Sequence, residues 1–483
     1  MSEFSQLLTE YIHRKDVRIY SLAEYCNTDR SLMYKIIHGK RMPSSADTVD
    51  KISEFLRLTP AEHEEFRTAY RISLDGRDNY YRRLDIMELL GHFQDIIDPE
   101  TPSLPPLSFI PSDVPNLPLS TFTEVRQAAY TVLNHLTEEK SRHLYLMLPP
   151  KSGFINRLLS PLTIQNKAVS VDHIMCLNNS ELVTRENQNY NLHCLMHILP
   201  LCICGCNYQP YYYYDNINSR LDSFQLFPYL ILTDSHALLI SDDFGSGLMT
   251  RQPDFLLLLK KIFSAYVAQA RPLLRTINSV SEQLQYVRDF ISPGPGSEYF
   301  FQMTPCMTHL LTKEFLEKYL HPELPGKELF IQDFLNHIAQ LKQRLGNKTV
   351  INIFSEEGID EFLQTGIFEE YPRDIYLPPV LKDRLDIIRR FTDECREGIC
   401  HAKMLRRSIG TVKNGANIYI TPKAGYLLFT PVKSGTPVYL SIQESGLTAA
   451  FWDFFQSMDE SLFYTKEEAV ARLDALISRY ERC

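Results

Sequence analysis

Four cations stand close together with no acid among them. Arg30, Lys35, Lys40 and Arg41 all fall between Arg30 and Ala46, a stretch that lacks Asp and Glu. Such side chains neutralise phosphates, and the guanidinium fork also matches the paired acceptors on a guanine edge. Ser31, Tyr34 and His38 lie among them, able to exchange hydrogen bonds or to stack. The wider N-terminal region does not share this bias, since residues 1–71 hold 11 Lys and Arg against 11 Asp and Glu. The whole chain carries a net charge of −9, so contact with a polyanion has to be local.

Something stiff must hold these residues outward, and Ser21–Ser44, SLAEYCNTDRSLMYKIIHGKRMPS, supplies it. Ser21 with Glu24 three residues on predicts a capping box that opens a helix at Leu22. Asn27 tolerates the left-handed conformation of a tight turn, and Asp29 caps a second helix, Arg30–His38. Met33 and Ile36 then point inward, leaving Arg30, Ser31, Tyr34, Lys35 and His38 outward. Gly39 ends the helix, with Pro43 beyond. Ser44 with Asp47 opens Ala46–Leu56, and Thr59-Pro60-Ala61-Glu62 opens another helix. Residues 1–72 thus predict five short helices.

This run, with SADTVDKISEFLRLTPAEHEEF after it, resembles the helix-turn-helix of the lambda-repressor-like (Cro-type, XRE) family over residues 4–71. The resemblance implies an all-α, five-helix domain that binds double-stranded operator DNA, usually as a homodimer. It places Arg30, Ser31, Leu32, Tyr34 and Lys35 at base-facing or backbone-facing positions of the recognition helix. His38 closes that helix on the same side, and Ser21, Lys40 and Arg41 fall where such proteins touch phosphates. Departures are Asn27 where Gly is usual, Ile37 where an acid is common, and the bulky Leu32 and Tyr34. A helix pair used only for packing, or for binding a protein, is the competing reading.

The other six-sevenths is a large α/β region. At 56.1 kDa the chain is too long for one core. Its 44% hydrophobic and 23% charged content is that of a soluble globular protein. The domains expected are 1–72, a connecting or dimerisation helix within 73–97, a Pro-rich linker or strap at 98–120, and α/β subdomains at 121–291 and 292–483. The helix should show Tyr80, Leu84, Met87, Leu90 and Phe93 on one face. Seven prolines between Asp98 and Pro118 predict an extended connector, and Leu104, Leu107, Phe109 and Ile110 favour a strap. Tyr229–Ser241 resembles Ile418–Thr430, each followed by an aromatic-rich helix near Phe263 or Phe451, and Leu148–Leu159 resembles Ile353–Gln364. Either an internal duplication or the chance likeness of any α/β chain accounts for this. The first residues lack a signal-peptide layout, and Leu192–Cys206 is too short to span a bilayer, so a cytoplasmic, bacterial-type protein without membrane attachment is expected.

Other clusters read as weaker chemistry. Cys202, Cys204 and Cys206, after His193, Cys194 and His197, read as a zinc site, a redox switch or structural thiols on one face of a strand. The last is favoured, and no metal or cofactor is expected. Tyr211–Asp215 lines a ligand pocket or sits under a loop, and Asp242–Gly247 reads as a turn. His401-x-Lys403 is similar to the motif of phospholipase D-like enzymes, but Ser408 stands where their Asp belongs. No phosphate loop or nucleophile elbow is present, and the chain is expected not to be an enzyme. The expectation is a DNA-binding transcription regulator whose C-terminal region senses a small molecule or peptide, or mediates oligomerisation. The alternative is an enzyme or toxin-neutralising protein with an appended autoregulatory DNA-binding domain. A scaffold that uses the helices for protein contacts is a third class.

Overall fold

The computed structural model describes residues 2–97, 115–136, 138–150, 169–179, 189–203, 206–215, 226–277, 279–290, 297–345, 350–410, 415–431 and 437–482. It forms two compact units, residues 2–85 with Asn189 and the remaining described residues. The whole is mixed helix and sheet.

The first unit is helical: α1 (Glu3–Arg14), α2 (Ile19–Tyr25), α3 (Arg30–Ile37), α4 (Ala46–Phe55), α5 (Pro60–Asp75) and the start of α6 (Arg77–Gly91). Its core gathers Phe4, Leu8, Tyr11, Leu22, Met33, Ile36, Val49, Ile52 and Phe66. The rings of Phe4 and Phe66 lie 4.6 Å apart, which ties α1 to α5. Caps set the helix starts: Asp29 accepts from the Leu32 N–H at 2.9 Å, and Thr59 with Glu62 forms a complete capping box. Asn27 has a φ of 52°, as a tight turn between α2 and α3 requires. Two expected starts are corrected. α2 begins at Ile19, so Ser21 lies inside it and makes no box with Glu24. Ser45, not Ser44, caps α4.

The second unit continues α6 and adds α7 (Phe93–Ile97), β1 (Asn116–Leu119), α8 (Phe122–Leu136), β2 (His143–Met147), β3 (Ser170–Asn178) and α9 (Tyr190–Ile203). Next come β4 (Asn207–Asp215), β5 (Tyr229–Leu232), β6 (Ala237–Ile240), β7 (Gly247–Thr250), α10 (Pro253–Gln269), β8 (Arg271–Pro272), β9 (Leu274–Ile277), α11 (Val280–Phe290) and β10 (Glu298–Phe301). It ends with α12 (Lys313–Tyr319), α13 (Lys327–Leu345), β11 (Val350–Ser355), α14 (Glu356–Thr365), α15 (Leu381–Glu397), β12 (His401–Leu405), β13 (Asn417–Ile420), β14 (Gly425–Phe429), β15 (Val438–Ile442), α16 (Ser445–Gln456) and α17 (Lys466–Glu481).

Two mixed sheets share one design. The first runs β1-β7-β6-β5-β2-β3-β4, with β8 added at its edge; the second runs β9-β15-β14-β13-β10-β11-β12. In each, four antiparallel pairings precede two parallel ones. Even the hairpin turns match. Thr233 Oγ1 accepts from the His236 and Ser235 N–H groups at 3.1 and 3.3 Å, and Thr421 Oγ1 from those of Ala424 and Lys423 at 3.1 and 3.3 Å. Strand β2 therefore corresponds to β10, which corrects the expected match of Leu148–Leu159 with the end of β11. Most of Leu148–Leu159 lies outside the described residues.

The corresponding faces are used differently. Hairpin register equates Leu232 and Ala237 with Ile420 and Gly425. Leu232 and Ala237 pack under α10, whereas Ile420 belongs to the core shared by both sheets with α7, α8, α9 and α16. The face that carries α10 in the first sheet thus corresponds to the inner face of the second.

The connecting helix breaks at His92. Its buried stripe is Ile86, Leu89, Leu90, Phe93 and Ile97, all in the shared core, while Leu84 is exposed. The apolar face expected to pair two copies is spent inside the chain. The proposed strap residues, Leu104 to Ile110, lie outside the described residues, as does most of the Ser292–Glu298 break.

Candidate nucleic-acid interface

Helix α3 owes its place to three residues, Met33, Ile36 and Ile37, buried in the first unit's core. That anchoring turns Arg30, Ser31, Tyr34, Lys35 and His38 to solvent, and Lys40 and Arg41 are exposed just beyond. Leu32 is only half-exposed and packs against the core, so it departs from the outward position expected of it. Ser21 is half-buried inside α2 rather than free at a helix start. Its place on that side is taken by exposed Arg18 and Tyr20 around the true start of α2. The sequence reading missed both. The i, i+3, i+4 spacing of Ile19, Leu22 and Ala23 was the available signal.

The outward residues form an ordered stripe one turn apart. The Arg30 guanidinium lies 5.6 Å over the Tyr34 ring, and the Tyr34 and His38 rings stack at 5.9 Å. His38 Nδ1 stands 2.8 Å from the Tyr34 carbonyl, to which it donates, so Nε2 faces outward. A cation, a phenol and an imidazole thus share one rigid edge, a mixed set of donors and acceptors suited to base edges.

Charge is partitioned across the unit. Arg14 and Lys15 pair with Glu62, Arg67 with Asp50 and Arg77 with Glu3. Arg30, Lys35, Lys40 and Arg41 have no ion-pair partner among the described residues. Their charge is open to an outside anion.

The remaining clusters resolve differently. Residues 190–203 are a helix, not a strand, so the expected one-faced ladder of thiols does not exist. Cys194 is buried and Cys202 half-buried on α9, with Cys206 just before β4, while Cys204 lies outside the described residues. Tyr212 is buried in the shared core, and the half-buried Tyr211 and Tyr213 pack on the other face of the first sheet. Asp242–Gly247 is a turn in which Asp243 accepts from the Gly245 N–H at 2.8 Å. On edge strand β12, His401 is exposed and Lys403 Nζ pairs with Glu460 at 2.6 Å. Ser408 donates to Glu357 at 2.9 Å.

One cluster had no local signal. Buried Glu370 accepts from Gln302 Nε2 at 2.9 Å, Thr308 Oγ1 at 2.9 Å and the Tyr419 hydroxyl at 2.7 Å. Burial, then the Glu370 charge, holds the Tyr419 phenol well above the usual range. The members come from distant parts of the chain, so no spacing announces them.

No protein-family model matches the chain. No curated protein matches it either. Among solved structures, it is similar to phosphatidylserine synthase of Haemophilus influenzae Rd KW20, at 10% identity over 83% of this chain and 97% of that one, with a TM-score of 0.22. It is similar to TrmBL2, an archaeal chromatin protein, at 11% identity over 46% of this chain and 79% of that one, with a TM-score of 0.20. A polyphosphate kinase of Porphyromonas gingivalis matches at 11% identity over 79% of this chain and 61% of that one, with a TM-score of 0.22. Two of these three proteins are enzymes by name, which overturns the expectation that this chain is not an enzyme. Likeness at this level assigns no reaction, substrate or site. No helix among the described residues is long and apolar enough to cross a membrane.

Proposed function

We propose that the chain is a cytoplasmic, sequence-specific DNA-binding transcription regulator with a lambda-repressor-like reader at its N-terminus. Helix α3 enters the major groove, with Arg30, Ser31, Tyr34, Lys35 and His38 toward base edges and Lys40 and Arg41 on phosphates. The α/β unit is a duplicated module that sets when the reader binds, through a small molecule, a peptide or a second copy. The observation that carries this reading is the stripe on α3 beside four cations without a carboxylate partner, in a unit whose other cations are largely paired. Phosphate contacts of this kind give affinity that falls with salt.

Genome-wide mapping of bound sites, followed by electrophoretic shifts on the sites found, tests the proposal. Lys35→Ala with Arg41→Ala should weaken binding by at least tenfold and flatten the salt slope by about two, one per lost phosphate contact. Unchanged shifts on the mapped sites would refute the assignment.

A further inference from the structure

The equivalence of the two sheets singles out one surface. Register pairs Ala237 with Thr250 and Gly425 with Ile442, so Thr250 corresponds to Ile442 and α10 to α16. Leu256, Leu259 and Phe263, by which α10 packs on its sheet, correspond to Thr448, Phe451 and Phe455, all buried. A second stripe differs. Leu447, Ala450 and Phe454 of α16, and Met458 after it, are buried in the shared core. Their counterparts on α10 are Phe255, Leu258, Ile262 and Tyr266, exposed by 36, 49, 42 and 47%. The cap repeats the contrast. Buried Glu444 caps α16 and also accepts a hydrogen bond from the Tyr214 hydroxyl of the first sheet, whereas Gln252 at the start of α10 makes no cap bond. The stripe that α16 buries inside the molecule is left open on α10.

We propose that this stripe of α10 is where a second copy of the chain docks, α10 against α10 about a twofold axis near Leu258 and Ile262. The inference rests in part on the DNA-reader proposal, because paired half-sites call for paired readers. Three further observations favour a second copy. The equivalent stripe is already covered by residues of this same chain. The surface that covers α16 is filled by α16 itself, so a head-to-tail pairing is blocked and only the stripe meeting itself closes. The apolar face of α6 and α7, the other candidate for pairing, is buried. The stripe exposes roughly 300 Å² of contiguous apolar side chain, a size at which surface patches are often functional. Two such stripes with their rims come to about 1,000 Å², the threshold of a specific interface, so the dimer should form at micromolar concentrations.

The test is sedimentation and light scattering of the full chain over a concentration series. The wild type should be a dimer, and Leu258→Glu and Ile262→Glu monomers, since each variant sets two like charges together at the axis. Leu257→Glu should remain a dimer: Leu257 is exposed on the far flank of α10, and its counterpart Ala449 is exposed as well. Leu258→Ser, a milder change, should weaken the dimer at least tenfold, and unfolding midpoints confirm that each variant is folded. A monomeric wild type, or dimeric stripe variants, overturns the proposal. A monomer that still shifts DNA with wild-type cooperativity sinks the docking face and leaves the reader intact. A stripe-dependent dimer that shifts no mapped site does the reverse.

Discussion

Two buried imidazoles give the molecule a pH dependence whose sign follows from their bonds. His173 is wholly buried between β2 and β4, with Nε2 2.9 Å from the Leu148 carbonyl and Nδ1 2.7 Å from the Tyr208 hydroxyl. A neutral ring that donates from Nε2 and accepts at Nδ1 satisfies both. Burial pushes His173 down to about 4, and the Leu148 hydrogen bond opposes this only in part. His236, stacked 4.8 Å from His135, is also pushed down to about 4, first by burial and then by the His135 charge. An unfolded histidine titrates near 6.5, so between about 6.5 and 4 the unfolded chain binds more protons than the folded one. The stability these groups contribute is complete above that window and is lost as pH falls through it. Unfolding midpoints should drop from pH 6.5 to pH 4. In His173→Gln the drop should be shallower, although that variant starts less stable at pH 7. A wild-type midpoint that stays level across the interval would contradict this.

Helices and turns show which parts of the sequence were legible. Asp29, Asn27 and the Thr59–Glu62 box were readable because a cap or a tight turn is decided by neighbours within three or four residues. The same locality misled at Ser21. The S-x-x-E spacing also occurs inside a helix, and Ile19, anchored with Leu22 and Ala23, starts α2 earlier. Residues 190–203 failed for another reason. A segment apolar on all sides carries no period, so buried strand and buried helix look alike, and α9 emerges only from what packs around it. The Glu370 cluster was invisible because its donors lie far apart in the chain. The Asp29 cap carries a consequence at this scale. Asp29→Ala should cost about 1 kcal/mol in the stability of the first unit. It should also weaken DNA binding by fraying the start of α3, where Arg30 and Ser31 stand. Chemical denaturation with paired electrophoretic shifts measures both, and a stable, fully binding variant would show that packing of Met33 and Ile36 alone fixes the helix.

At the scale of the whole chain, the hairpin likeness of Tyr229–Ser241 to Ile418–Thr430 was real, while the second likeness slipped by one strand. Both β2 and β11 end just before an apolar-rich segment, and only pairing order separates them. The use of opposite faces by two equivalent sheets has a direct energetic result. The first sheet buries Leu144, Leu146, Ile231 and Leu238 in the same core that holds Tyr299, Phe301, Ile420 and Leu427 of the second. Neither sheet owns that core, so separating them would bare apolar area worth about 25 cal/mol per Å² on both sides. The first unit differs, because its core of Phe4, Tyr11, Met33, Ile52 and Phe66 draws on its own helices alone. Residues 1–85 should therefore fold when expressed alone and melt cooperatively, and Phe66→Ala should remove about 3 kcal/mol or more of that stability. Residues 116–272, which hold one sheet without its partner, should aggregate or remain molten. Circular dichroism melts of the two fragments decide the matter. A well-folded 116–272 would mean that each sheet closes its own core, and that the likeness between them is one of independent domains rather than of two halves sharing an interior.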